Sequence, residues 1–167
     1  MTADALVRQH ADLVYRVARR VTGNDADAAD AAQDALVRVW KRGLDIEEPR
    51  RRAWCARVSR NASLDLLRRR AVRPAPLRGD MPDPADDSAL TDERTEATEI
   101  RREIDAALGQ LGEPYRSIVV LREIEGLAYA EIADALDLPL NTLKVYLHRA
   151  RRQLRDAIRR SAPELVP

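Results

Sequence analysis

Apolar residues recur every three or four positions through three stretches near the start of the chain, which is the spacing of one face of an α-helix. The stretches are residues 5–21, 26–42 and 50–70. Gly23 breaks the first pattern, and Asn24 or Asp25 can cap the helix that follows. Pro49 suits the first turn of the third helix. The pattern predicts a three-helix bundle, in which the inward residues of the third helix are Trp54, Val58, Ala62 and Leu66.

The same spacing returns in the second half of the chain. Four helical stretches follow one another there, over residues 98–111, 114–125, 127–136 and 141–155. A tight turn at 137–140 joins the last two, which predicts a helix-turn-helix whose second helix can enter a DNA major groove. No segment alternates apolar and polar residues with period two. We therefore expect an all-α fold of two small helical domains, residues 1–72 and 98–162.

Residues 73–97 join the two predicted domains and differ from both in composition. Four prolines, one glycine and a run of acidic residues leave no periodic apolar face. Such a segment cannot repay the entropy cost of ordering its backbone, so we expect a flexible, acidic linker. The linker is either an inert spacer or a functional segment whose negative charge screens the basic surfaces on either side.

Charge is distributed in blocks that the overall balance conceals. The chain has 29 basic and 28 acidic side chains, a net charge of +1. Residues 1–72 and 141–167 each carry +5, whereas residues 73–99 carry −5 and residues 100–140 carry −4. Phosphate attraction acts over about one Debye length of 8–10 Å. Each basic block can therefore bind nucleic acid although the total charge is near zero.

Few residues could hold a metal ion or carry covalent chemistry. Cys55 is the single cysteine, and His10 and His148 are the only histidines, so we expect no disulfide, metal or other cofactor. Cys55 has no nearby histidine on its predicted helix, and we expect a packed thiol rather than a nucleophile. No catalytic motif is present, so we predict that the chain is not an enzyme. Without a signal-peptide or membrane-span pattern, we expect a soluble, cytoplasmic protein.

The last predicted helix carries apolar and polar residues on opposite faces. The apolar stripe consists of Leu143, Leu147, Ala150, Leu154 and Ile158. The residues turned outward are Asn141, Lys144, Val145, His148, Arg149, Arg152 and Arg155. Asn141 and Lys144 can reach base edges, the later arginines suit phosphates, and Asn141 or Thr142 can cap the helix. The alternative is a surface helix whose arginines are only solvated.

A second polar group lies on the third helix of the first domain. Its members are Arg57, Arg60, Asn61, Asp65 and Arg68. The Asn61 amide offers a donor and an acceptor to an exposed base edge, so this helix can hold a nucleic-acid strand, although charged helix faces can also be merely solvated. Trp40 and Trp54 are stacking platforms or buried anchors, and we expect buried anchors. The second helix presents a possible protein-docking face of Asp30, Gln33, Asp34, Arg38 and Lys41.

Several ordered segments resemble the extracytoplasmic function (ECF) class of the sigma-70 family of RNA polymerase sigma factors. Residues 25–40, DADAADAAQDALVRVW, look like the core-binding helix of the family's region 2. Residues 51–65, RRAWCARVSRNASLD, resemble its RAWLxRVARNxxxD stretch, and YAEIA and HRAR at 129–133 and 148–151 match region 4. Where the family has GTVKSR, residues 141–146 are NTLKVY, so Asn, Val and Tyr replace Gly, Ser and Arg.

The resemblance implies a role in transcription initiation. Region 2 would bind core RNA polymerase through the docking face on the second helix and the unwound −10 strand through the polar group on the third. Region 4 would read the duplex −35 element through Asn141, Thr142, Lys144, Val145, His148, Arg149 and Arg152. An anti-sigma factor is implied as a further partner. The alternatives are a helix-turn-helix regulator that acts without polymerase and, with no catalytic set to support it, a nucleic-acid-modifying enzyme.

Overall fold

A computed structural model describes residues 1–72 and 95–167. Within these ranges the chain forms helices and no strands. The helices are α1 (Ala3–Thr22), α2 (Asp25–Arg42), α3 (Glu48–Val72), α4 (Glu96–Gly109), α5 (Tyr115–Val119), α6 (Tyr129–Leu136) and α7 (Leu140–Ser161). Most of the predicted linker lies outside the described residues. None of the described helices is both long enough and apolar enough to cross a membrane.

The first three helices pack against one another as a bundle whose ends are set by local caps. The Thr2 hydroxyl accepts the Ala5 N–H at 3.1 Å, and the Asn24 side chain accepts the Asp27 N–H at 2.9 Å. Gly23 adopts φ 85°, a left-handed conformation that favours glycine, and its N–H closes α1 on the Arg19 carbonyl. The all-α prediction is confirmed, with α3 longer by two residues at each end than expected.

The C-terminal helices surround α7. α5 passes into a π-helical turn at Val120–Ile124, and Gly126, with φ 69°, ends that segment. α4 begins at Glu96 rather than at residue 98, because Thr95 caps it. Asp137 has φ 54° in the turn between α6 and α7, a conformation that aspartate tolerates better than most residues. Gly126 thus ends the segment before α6, and Asp137 is the C-cap at which α6 ends.

Glu125 ties the two halves of the molecule together. Its side chain is 2% exposed and accepts two hydrogen bonds of 3.0 Å from Nε and Nη2 of Arg16 on α1. Arg52 on α3 donates to the Glu125 carbonyl oxygen at 2.5 Å. The hydrogen bond to Glu125 raises the pKa of Arg16 above its ordinary value. A buried carboxylate is costly unless it is paired in this way, so these contacts fix the segment before α6 against the bundle.

Apolar packing continues across the same boundary. α3 packs against α6, and Leu127 belongs to the same hydrophobic cluster as the core of the bundle. Arg50 pairs with Asp134 on α6 at 3.1 Å, and Arg20 pairs with Asp105 on α4. The described residues therefore form two helical units that are in direct contact.

Replacing Glu125 by glutamine should lower the free energy of unfolding by about 1.5–3 kcal/mol, because the hydrogen bonds from Arg16 to a charged carboxylate are lost. Glu123→Gln is the matched control. Glu123 pairs with Arg151, but the two side chains are 41% and 45% exposed, so its loss should cost about 0–1 kcal/mol. Urea unfolding of both variants measures the difference, and equal losses would contradict the role given to Glu125.

Candidate nucleic-acid interface

α7 presents a polar face to solvent and an apolar face to the core. Leu143, Leu147 and Ala150 are buried. The exposed residues of this helix include every outward residue that the sequence predicted: Asn141, Lys144, Val145, His148, Arg149, Arg152 and Arg155. Leu154 and Ile158 are only half-buried, so the apolar stripe loosens toward the end of the helix. The first half of α7 therefore packs tightly against the core on one side and exposes its polar residues to solvent on the other.

The beginning of α7 differs from the prediction. The helix starts at Leu140 and its N-cap is Pro139, which offers no side-chain cap. Neither Asn141 nor Thr142 caps the helix, because both lie inside its first turn. The reason is local: Pro139 suits the extended backbone before a helix, so the helix starts directly after it. Asn141 is exposed and Thr142 half-buried.

The residues of α3 that were predicted to bind the −10 strand lie on two different sides of the helix. Arg57, Asn61 and Arg68 recur at intervals of four and seven residues, which places them on one face of the helix. Arg57 and Arg68 are exposed and Asn61 is half-buried. Asp65 lies beside Arg68, with 3.5 Å between carboxylate and guanidinium. The structure thus brings three of the predicted residues together as a strip along α3.

Arg60 is turned away from that strip toward the C-terminal helices. Its Nε donates to Ser117 Oγ at 2.9 Å, and its Nη2 lies 3.6 Å from Glu113 Oε2. Ser117 donates in turn to Glu113 at 2.5 Å. Burial lowers the pKa of the Arg60 guanidinium, and the negative charge of Glu113 opposes that shift. Arg60, one of the residues predicted to contact nucleic acid, is therefore already bound by residues of the C-terminal half of the molecule.

The predicted docking face on α2 is exposed along its length. All five residues, Asp30, Gln33, Asp34, Arg38 and Lys41, are accessible to solvent. Two of them lie near arginines at the end of α3: Asp34 is 3.7 Å from Arg69, and Asp30 is 3.9 Å from Arg70. Such exposed pairs contribute little to stability, so they leave the acidic side chains free to exchange partners.

An apolar groove between α1 and α2 was missed by the sequence reasoning. It is lined by Val7, Ala11, Tyr15, Leu36, Val37 and Trp40, with Gln33 at its edge. Trp40 is 54% exposed, so the expectation of a buried anchor was wrong for this residue. Its indole Nε1 donates to Asp4 at 2.9 Å, which holds the ring across the surface. Trp54 is half-buried and packs against the core, as expected.

Cys55 is fully buried, which confirms the prediction of a packed thiol. Burial raises the pKa of this thiol to about 12, so it stays neutral and unreactive at ordinary pH. Among residues 1–72 and 95–167, no three His, Cys, Asp or Glu side chains are grouped as metal ligands would be.

Comparison with known proteins identifies both halves. Residues 6–73 match the family model for Sigma-70 region 2, and residues 101–154 match Sigma-70, region 4. The chain is 38% identical to the ECF RNA polymerase sigma factor SigE of Mycolicibacterium smegmatis over 96% of its own length, but spans only 63% of that protein. It is 33% identical to SigL of Mycobacterium tuberculosis over 90% of its length and 85% of SigL.

Two solved structures share the fold. CnrH in complex with the cytosolic domain of CnrY has a TM-score of 0.67 and 25% identity, covering 96% of this chain and 88% of CnrH. The sigma factor RpoE in complex with the anti-sigma factor NepR from Bartonella quintana has a TM-score of 0.68 and covers 92% and 94%. Its 18% identity supports the fold alone. Both alignments extend over the N-terminal and the C-terminal helices.

The contact between Glu113 and Arg60 can be tested on the free protein. If Arg60 binds phosphates as predicted, Glu113→Gln removes the charge that competes for its guanidinium. The chain should then bind a single-stranded oligonucleotide up to about tenfold more tightly at low salt, because a hydrogen bond to a charged group contributes about 1.5 kcal/mol. Glu164→Gln, at an exposed position, controls for the change in net charge. Fluorescence anisotropy measures both, and equal affinities for the two variants would contradict the competition.

Proposed function

Because the chain belongs to the ECF class of the sigma-70 family of RNA polymerase sigma factors, we propose that it directs promoter-specific initiation by core RNA polymerase. The observation that carries the proposal is the pairing of two different exposed polar faces on one chain. One lies along α3 in the segment matched to region 2, and the other along α7 in the segment matched to region 4. A duplex-binding regulator needs only the second face.

In this proposal α7 reads the −35 element. Asn141, Lys144 and Val145 lie in its first two turns, where a recognition helix meets base edges. Arg149 and Arg152 follow on the exposed side, where guanidinium groups suit phosphates. Positions near the start of the helix thus specify sequence, and the arginines hold the helix in register. The +5 charge of residues 141–167 supports phosphate binding by this part of the chain.

The α3 strip would hold the unwound −10 strand. Arg57 and Arg68 supply phosphate contacts, and Asn61 supplies hydrogen bonds to an unpaired base. Arg60 can join them only when the C-terminal helices release it, because Ser117 and Glu113 occupy its guanidinium. We therefore expect promoter binding to separate the two halves of the molecule and to break the contacts of Glu125 as well.

The α2 face and the adjoining groove would dock proteins. Polar residues such as Gln33 and Arg38 suit the polymerase, and the apolar groove beside them offers Trp40 and Val37 as anchors. An anti-sigma factor is a second expected partner, and the complex of CnrH with the cytosolic domain of CnrY supports the binding of a regulatory protein by a related chain. The chain then works in the cytoplasm with polymerase, supplies recognition, and leaves the chemistry of RNA synthesis to the core enzyme.

Run-off transcription tests the proposal. Core polymerase with the purified chain should initiate at specific sites in a genomic promoter library, and neither component should do so alone. Gln33→Ala combined with Asp34→Ala and Arg38→Ala should abolish core binding while the circular dichroism spectrum stays helical. A chain that binds specific duplex DNA without ever binding core polymerase at low salt would support the regulator instead.

The phosphate-binding and base-reading roles proposed for residues of α7 can be distinguished by the salt dependence and the sequence dependence of DNA binding. Arg152→Ala should weaken binding to all sequences alike and reduce the slope of log affinity against log salt by about one. Lys144→Ala should instead relax discrimination at one −35 position by about 1–3 kcal/mol. Titrations of holoenzyme on selected and randomised −35 duplexes measure both effects. Identical behaviour of the two variants would contradict the division of roles.

A further inference from the structure

Val145 is an exposed apolar residue at the centre of the polar face of α7. It is 49% exposed and lies on the opposite side of the helix from the buried Leu143 and Leu147. Its neighbours one turn away on that face are the exposed Asn141 and Arg149. Neither hydrophobic cluster of the described residues includes Val145. Packing among the described residues therefore does not account for an apolar side chain here.

The adjacent Tyr146 behaves differently. It is half-buried, and its ring meets the Tyr115 ring edge-on, with 5.5 Å between centroids and 61° between planes. Tyr146 is thus held by the fold and takes little part in the outer face. Leu140 is the other exposed apolar residue of α7, but it lies roughly 140° around the helix from Val145 and so falls to one side of the polar face. Val145 is therefore the only apolar residue in the middle of the polar face of α7.

The chemistry of valine limits what it can face in a major groove. Valine has no hydrogen-bonding group, so against guanine, adenine or cytosine it would displace water from base donors and acceptors without replacing the lost bonds. Thymine presents its C5 methyl group in the major groove, and apolar side chains contact that methyl. Because valine strongly prefers one rotamer in a helix, its own methyl groups are held ready at little entropic cost.

We propose that Val145 reads a thymine in the −35 element through contact with its C5 methyl group. The inference rests on the proposed function, since it requires α7 to lie in the major groove of the −35 duplex. Burying one methyl group contributes about 0.8 kcal/mol, so losing it should weaken binding about fourfold. The contact sets a preference for thymine at one position and adds nothing at the others.

The test begins with the holoenzyme and a −35 sequence selected from a randomised duplex library. Each thymine of that sequence is then replaced in turn by uracil, which lacks only the methyl group. One replacement should weaken binding of the wild type about fourfold and leave Val145→Ala unaffected. Leu140→Ala is the matched control, because it removes an exposed apolar side chain from the same helix and should keep the methyl sensitivity. At the sensitive position, 5-methylcytosine should bind about fourfold more tightly than cytosine.

The outcomes separate the inference from the proposed function. If a −35 preference is selected but uracil is neutral at every position, or if Val145→Ala remains as sensitive as the wild type, the inference is overturned while the proposed function stands. If no −35 preference emerges from the library, the proposed function fails and the inference fails with it. The inference is supported if binding is sensitive to the thymine methyl group at one position and if only Val145→Ala removes that sensitivity.

Discussion

The buried carboxylate of Glu125 sets the arrangement of the whole molecule. The Arg16 guanidinium donates two hydrogen bonds to this carboxylate, and Arg52 donates to the backbone carbonyl oxygen of the same residue. Since these arginines lie on α1 and α3, the segment that leads into the helix-turn-helix is fastened to the bundle at two points. The ion pairs of Arg20, Arg50 and Arg60 with acidic residues of α4, α6 and the segment before α5 then follow along the same boundary.

This closed arrangement is too small for a promoter. A compact chain of this length has a radius of gyration of about 15 Å and measures about 40 Å across. The −10 and −35 elements lie roughly 25 base pairs apart, which at 3.4 Å each is about 85 Å of duplex. If the two polar faces bind these elements as proposed, they can engage both only after the two halves separate.

Most of the helices could be predicted because their ends and faces depend on nearby residues. The features that could not be predicted depend on contacts between residues that are distant in sequence. Asn24, Gly23 and Gly126 mark helix ends through their own backbone or side-chain preferences, and the polar face of α7 follows from periodicity alone. The exposure of Trp40 depends on Asp4, which is 36 positions away. The engagement of Arg60 depends on Ser117, 57 positions away, and no periodic pattern records such a partner.

The distance between the halves tests the central claim, that one chain closes on itself when free and opens to span a promoter. Fluorophores at Ala26→Cys on α2 and Arg159→Cys on α7 report it, since both positions are exposed and the buried Cys55 stays unlabelled. Energy transfer between them should be efficient in the free chain and should fall sharply when core polymerase and promoter duplex are added together. Unchanged transfer in a complex that initiates transcription would contradict the account.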